Sequence, residues 1–175
     1  MSDMATTLMD AAERRLRIGG FAAFSYRDLA AEVGIKSASV HYHFPTKENL
    51  VAAVLRRYTG HVAALIDEAH ESEPDPVKVI AKMLASPVHS KDKLCPCIIL
   101  GASIRDMAPE VQVEVRNFYQ MWLDKMVAHG LTLSKATTVM ATLSGAQLMA
   151  LVMNDVKAYD DAAEEVLREN SGIAA

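Results

Sequence analysis

Two stretches of this chain gather side chains able to do chemistry. The first is residues 25–47, SYRDLAAEVGIKSASVHYHFPTK. It sets cations (Arg27, Lys36, Lys47), hydroxyls (Ser37, Ser39, Tyr26, Tyr42) and imidazoles (His41, His43) among short apolar runs. Side chains of these types donate to phosphate oxygens and pair with base edges; they suit recognition rather than bond breaking. The second stretch is Cys95-Pro96-Cys97. Thiols near a helix start react with oxidants or electrophiles when the thiolate is populated. Three readings of the pair stand side by side. The preferred one has Cys97 as a small buried residue and Cys95 partly exposed; the others are a thiol sensor and, with His89, part of a metal site that lacks an evident fourth ligand. His61, His70 and His129 form no constellation with either cysteine or with a serine nucleophile, so catalysis is not expected.

The elements that must position the first stretch follow from local rules. Ser25 is a candidate N-cap, and Asp28 three residues later completes a capping box. Leu29, Ala30 and Val33 give one apolar face at helical spacing. Gly34 ends that helix, because it adopts positive φ without steric cost. Ile35 can then tuck under the turn, and Ser37 caps a second short helix carrying Ser39, Val40, His41, Tyr42 and His43. Two short helices around a tight turn make a helix-turn-helix, whose second helix normally enters the DNA major groove.

From Phe21 to Leu50 the chain resembles the DNA-binding domain of the TetR (tetracycline repressor) family of bacterial transcription regulators. The residues that carry the resemblance are Gly20-Phe21, Ser25 to Asp28, Leu29-Ala30, Val33-Gly34-Ile35, Ser39-Val40, Tyr42-His43-Phe44 and Lys47-Glu48-Asn49-Leu50. The exit Tyr42-His43-Phe44-Pro45-Thr46-Lys47-Glu48, at this offset from Gly34, makes it specific. The resemblance implies phosphate contacts from Tyr26, Arg27, Ser39, Tyr42 and Lys47, and base contacts from Lys36, Ser37, Ala38 and His41. His41 departs from the Tyr often found at its position. An imidazole donates or accepts according to its tautomer, so its base preference stays open at this point. Phe44 reads as core, and Arg14, Arg15 and Arg17 as solvated.

The family also implies a larger helical domain that encloses a small effector and forms a homodimer reading a palindromic operator in double-stranded DNA. Release from the operator by a small hydrophobic ligand, hence repression, is the expected mode. The expected effector lining is Leu65, Met83, Cys97, Leu100, Met107, Phe118, Tyr119, Trp122, Met149 and Met153. Such apolar, Met-rich walls suit hydrophobic ligands, although the same stripe equally describes a core. No cofactor and no metal are expected. The competing readings are a thiol-sensing repressor using Cys95 and Cys97, a thiol enzyme, and a helical interaction protein without DNA binding.

Composition agrees. The chain has 175 residues, 51% hydrophobic and 23% charged, enough for a real core. Residues 1–60 hold eight Lys/Arg against six Asp/Glu, and residues 61–175 hold ten against sixteen. A slightly basic N-terminal unit beside an acidic remainder fits a polyanion partner for the former alone. The pattern predicts an all-α fold of about nine helices. A three-helix DNA-binding domain would occupy residues 1–46 and an effector-binding and dimerisation domain residues 47–175. Helices are expected from Thr6 to Ile18, from Thr46 to His70, over 77–85, from Cys95 to Met107, from Pro109 to the His129-Gly130 stop, from a Thr132 or Ser134 cap to Asn154, and over 159–169 with a frayed tail; Ser86 to Lys93 reads as a loop because of Pro87. The amphipathic first twenty residues carry Glu13, Arg14, Arg15 and Arg17, unlike a signal peptide. The apolar run Val139–Val152 reads as too short for a membrane span. A soluble cytoplasmic protein is the expectation.

Overall fold

The computed structural model describes residues 3–90 and 95–170. Every regular element among them is helical: α1 (Asp3–Gly19), α2 (Tyr26–Val33), α3 (Ser37–His43), α4 (Lys47–His70), α5 (Pro76–His89), α6 (Pro96–Ala102), α7 (Pro109–Ala128), α8 (Leu133–Met153) and α9 (Lys157–Asn170). Short 3-10 turns lie at Phe21–Ala23 and Ile104–Asp106. The all-α expectation holds.

Local chemistry accounts for most of the ends. Asp75 accepts from the Val77 N–H at 2.9 Å, and Pro76 occupies the first helical position, where its missing N–H costs nothing. Thr132 caps α8 and Thr46 caps α4 through the Asn49 N–H. Asn154, at φ 51°, closes α8 in the left-handed region that Asn tolerates.

Several expected boundaries shift. α5 runs through Pro87 to His89 instead of stopping before it. Pro87 removes one interior N–H, but the helix ends two residues later and Ser90 re-caps it, its N–H and hydroxyl both donating to Ser86 O. Residues 91–93 of the expected loop lie outside the described residues, as does the frayed tail beyond Asn170. The helix expected from Cys95 to Met107 stops at Ala102 and gives way to a 3-10 turn. Ser37 is the first residue of α3 rather than its cap; Lys36 holds the cap position without a side-chain bond.

The chain divides into two compact units, Met1–Thr59 with Lys93–Phe118, and Gly60–Asp92 with Tyr119–Ala175. The boundaries fall inside α4 and α7. In the first unit Leu8, Leu16, Leu29, Val40, Leu50 and Leu55 are buried, and Tyr58 stacks on Phe118 with centroids 5.6 Å apart. Gly20, at φ 66°, lies where a Cβ would come 2.9 Å from the Ile99 side chain, so only glycine fits this α1–α6 approach. The buried carboxylate of Glu114 on α7 accepts from Arg56 on α4, at 2.9 Å from Nε.

In the second unit α5, α8 and α9 pack mutually. Ala136, Val139, Met140, Leu143, Ala146 and Ala150 form the buried flank of α8. Two buried polar side chains there find partners on α5: Gln147 Nε2 donates to Leu84 O and the Tyr159 hydroxyl to Ala81 O, both at 2.6 Å. α8 has the bounds expected between a Thr132 cap and Asn154; against the expectation for its apolar run, its 21 residues, with a mean hydropathy of 1.4 in the most apolar window, are long and apolar enough to cross a membrane by length and composition alone. Its other flank, with Leu148, Met149, Val152 and Met153, is exposed on the single chain.

Candidate nucleic-acid interface

The helix-turn-helix is built as its sequence dictates. Ser25 and Asp28 form a complete capping box: the Asp28 carboxylate accepts from the Ser25 N–H at 2.7 Å, and Ser25 Oγ accepts from the Asp28 N–H at 3.3 Å. The Ser25 hydroxyl and N–H hold the Asp28 carboxyl below the ordinary carboxylate range. Gly34 sits at φ 76°, and the N–H groups of Gly34 and Ile35 both donate to Ala30 O, closing α2. α3 then leaves the turn with Val40 fully buried beneath it.

Burying Val40 fixes what the rest of α3 presents. Ala38, His41 and Tyr42 stand at positions i, i+3 and i+4, and all three are exposed. Tyr42, 85% exposed, is the most accessible large side chain of the chain's described core-forming types. Ser39 is exposed beside them, and Ser37 is half-buried at the helix start. Arg27 on α2 and Lys36 in the turn are exposed, and among the described residues neither is held in an ion pair. The cations of α1 are spoken for. Arg14 and Arg15 both bind the Glu32 carboxylate on α2, at 2.8 and 2.9 Å, and so brace α2 against α1. Arg17 pairs with Glu13 at 2.9 Å and lies 5.0 Å from the Tyr58 ring centroid. Arg14 and Arg15 stay at the surface as expected from sequence, at 60% and 40% side-chain exposure, but each is held in an ion pair, while Arg17 is largely covered. Pairing between elements leaves no mark in local spacing.

Two expected phosphate contacts have structural duties. Tyr26 is buried, and its hydroxyl faces Phe44 O at 2.9 Å and Thr46 O. Burial pushes this phenol well above its ordinary pKa, so it remains a donor. Lys47 is half-buried, and its ammonium donates to Phe21 O and Phe24 O between the two rings, 4.3 and 4.4 Å from their centroids. Partial burial lowers its pKa from the ordinary amine value. An ammonium has three donors, so one stays available. Phe44 is core, as its sequence position suggested.

His41 is also held. Its Nδ1 lies 3.2 Å from Pro45 O, and its ring meets the Tyr26 ring edge-on with centroids 4.7 Å apart.

The expected effector lining is divided between the units. Cys97, Leu100, Met107 and Phe118 belong to the first; Leu65, Met83, Tyr119, Trp122, Met149 and Met153 to the second. Cys97, Leu100, Phe118 and Trp122 are buried, and Met83, Met107 and Tyr119 half-buried. Leu65, Met149 and Met153 are on the surface. Cys95 is only 1% exposed, against the expectation of partial exposure. Burial raises the Cys97 thiol well above its ordinary range. At Cys95 burial acts the same way, but bonds from the Cys97 thiol, the Ile98 and Cys97 N–H groups and the Tyr58 hydroxyl outweigh it and lower the pKa. No group of three or more potential metal ligands occurs among the described residues.

Residues 8–54 match the family model for bacterial regulatory proteins, tetR family. No curated protein matches the chain. Among solved structures, a TetR transcriptional regulator from Legionella pneumophila is 24% identical with a TM-score of 0.86, over 97% of this chain and 98% of that one. A TetR-family regulator from Agrobacterium tumefaciens is 27% identical with a TM-score of 0.84, over 94% and 96%. The reduced form of E. coli NemR shares the fold at 17% identity and a TM-score of 0.81, over 94% and 95%. The helix-turn-helix domain therefore matches the TetR family of bacterial regulatory proteins over residues 8–54, and the fold along nearly the whole chain is the one seen in TetR-family regulators.

Proposed function

We propose that the protein is a homodimeric repressor that binds a palindromic operator and leaves it when a small hydrophobic ligand binds. The observation that carries this reading is the exposed face of α3, where Ala38, His41 and Tyr42 stand exposed, with Arg27 and Lys36 exposed on α2 and in the turn and held in no ion pair among the described residues. A short helix offering small, aromatic and imidazole side chains suits base edges, while the flanking cations suit phosphates. In this reading Lys36, Ser37, Ala38 and His41 meet bases, and Arg27, Ser39, Tyr42 and the third donor of Lys47 meet phosphate. Tyr26 acts at the same surface by fixing the exit of α3.

One such module binds weakly, and two related by a dyad read two half-sites about one helical turn apart. The exposed apolar flank of α8, with Leu148, Met149 and Val152, supports a partner subunit there. A bacterial regulator working this way acts in the cytoplasm. The residue types of the expected lining are apolar and aromatic and suit an uncharged ligand.

The test is an electrophoretic shift of the chain's own upstream DNA with the full-length protein, followed by a screen for compounds that both raise its melting temperature and dissolve the complex. Binding with equal affinity to unrelated duplexes at physiological salt would refute sequence-specific regulation. An operator complex that no stabilising ligand releases would refute the ligand-released repressor.

A further inference from the structure

The sequence leaves open which hydrogen-bonding role His41 presents; the structure closes the question. A backbone carbonyl only accepts, so the 3.2 Å contact with Pro45 O requires the proton of neutral His41 to sit on Nδ1. The contact is not incidental. Pro45 follows the C-cap residue Phe44, whose N–H closes α3 on Val40 O, so the carbonyl is fixed one residue beyond the helix cap. The Tyr26 ring braces the imidazole from the side, with planes 66° apart. Tyr26 is itself immobilised by burial and by its hydroxyl bond to Phe44 O. With Nδ1 satisfied and one edge covered, Nε2 remains, and in this tautomer it carries a lone pair and no proton.

We infer that His41 is a specificity-determining residue that accepts a hydrogen bond from the exocyclic amino group of a base, adenine N6 or cytosine N4, in the major groove. This rests on the reading of α3 as the recognition helix. In the major groove those two amino groups are the donors; guanine offers N7 and O6 and thymine O4, all acceptors, which an unprotonated Nε2 repels. Tyr26 is then a positioning residue: by holding the ring it keeps the tautomer and orientation from having to be selected on binding.

The experiment uses the full chain. Duplexes are selected from a randomised pool with the wild type, with His41→Ala and with His41→Lys. The base pair whose preference His41→Ala relaxes is then probed with two analogues. One lacks the exocyclic amino group (purine for adenine, or 2-pyrimidinone for cytosine); the other replaces the purine of that pair by its 7-deaza form. Removing the amino group should weaken wild-type binding about five- to tenfold per half-site, the size of one neutral hydrogen bond, and leave His41→Ala unaffected. The 7-deaza analogue should leave the wild type unaffected, whereas His41→Lys, a pure donor, should become sensitive to it. Wild-type sensitivity to loss of N7 with none to loss of the amino group would overturn the inference. So would a His41→Ala consensus identical to the wild type. Failure of the wild type to select any duplex would instead bring down the DNA-binding reading itself.

Discussion

Replacing Lys47 by alanine should do two separable things. In the free protein the ammonium donates to Phe21 O and Phe24 O and lies 4.3 and 4.4 Å from the centroids of the same two residues' rings. It thereby ties the turn between α1 and α2 to the start of α4. A hydrogen bond to a charged donor contributes about 1.5–3 kcal/mol, and a cation over an exposed aromatic face about 0.5–1 kcal/mol. These contributions share one ammonium that is only half-buried, and the released carbonyls are rehydrated. A net loss of about 2–3 kcal/mol is therefore expected, or about 4–12 °C in melting temperature for a chain of this size. Calorimetry or urea unfolding reads it directly. The second effect concerns DNA. If the third donor of Lys47 meets a phosphate, the slope of log affinity against log salt should fall by about one per subunit without a change in the preferred sequence. Titrations at several salt concentrations, at a temperature where the variant is folded, measure that slope. A variant as stable as the wild type would refute the anchoring role. An unchanged slope with a stability loss would leave Lys47 as a fold anchor and refute the phosphate contact.

Tyr26→Phe should lower stability by about 1–2 kcal/mol, because it strips a buried donor from the Phe44 and Thr46 carbonyls while keeping the ring; unfolding curves superimposable on the wild type would show that the hydroxyl is idle. Leu148→Glu places a charge on the exposed flank of α8, so each chain should stay folded while sedimentation shows monomers and operator binding is lost; a dimeric variant would move the interface elsewhere. Asp28 and Glu32 are both held below the ordinary carboxylate range, Asp28 by the Ser25 hydroxyl and N–H and Glu32 by Arg14 and Arg15. A carboxylate depressed in the folded state stabilises it above the unfolded pKa and loses that effect as pH falls through the folded one, so the helix-turn-helix should weaken below about pH 4. Asp28→Asn with Glu32→Gln should flatten that acid limb, and an unchanged pH profile would show that the two carboxylates do not set it. Both thiols are buried, so a soluble thiol reagent at neutral pH should modify the native protein far more slowly than the denatured one; rapid labelling of Cys97 accompanied by operator release would make the protein a thiol switch.

The features legible in the sequence are those decided within three or four residues along the chain. The Ser25–Asp28 box, the left-handed turn at Gly34, the proline openings of α5 and α7 and the apolar stripe of α1 each depend on neighbours along one helix, so spacing reveals them. The recognition helix and its family resemblance followed from the same local signals. The tertiary structure alone decided which polar side chains are free for a partner and which are consumed by the fold. Arg14 and Arg15 meet Glu32 18 and 17 residues away, Lys47 meets carbonyls 23 and 26 residues back, and Cys95 is buried despite its polar approach in sequence. His41 makes the division plainest. Its place on α3 is set by a helical period, but the proton on Nδ1 is set by Pro45 O beyond the helix end and by a Tyr26 ring fifteen residues earlier in the chain. A tautomer depends on the partner that happens to face the ring, and that partner exists only once the chain has folded.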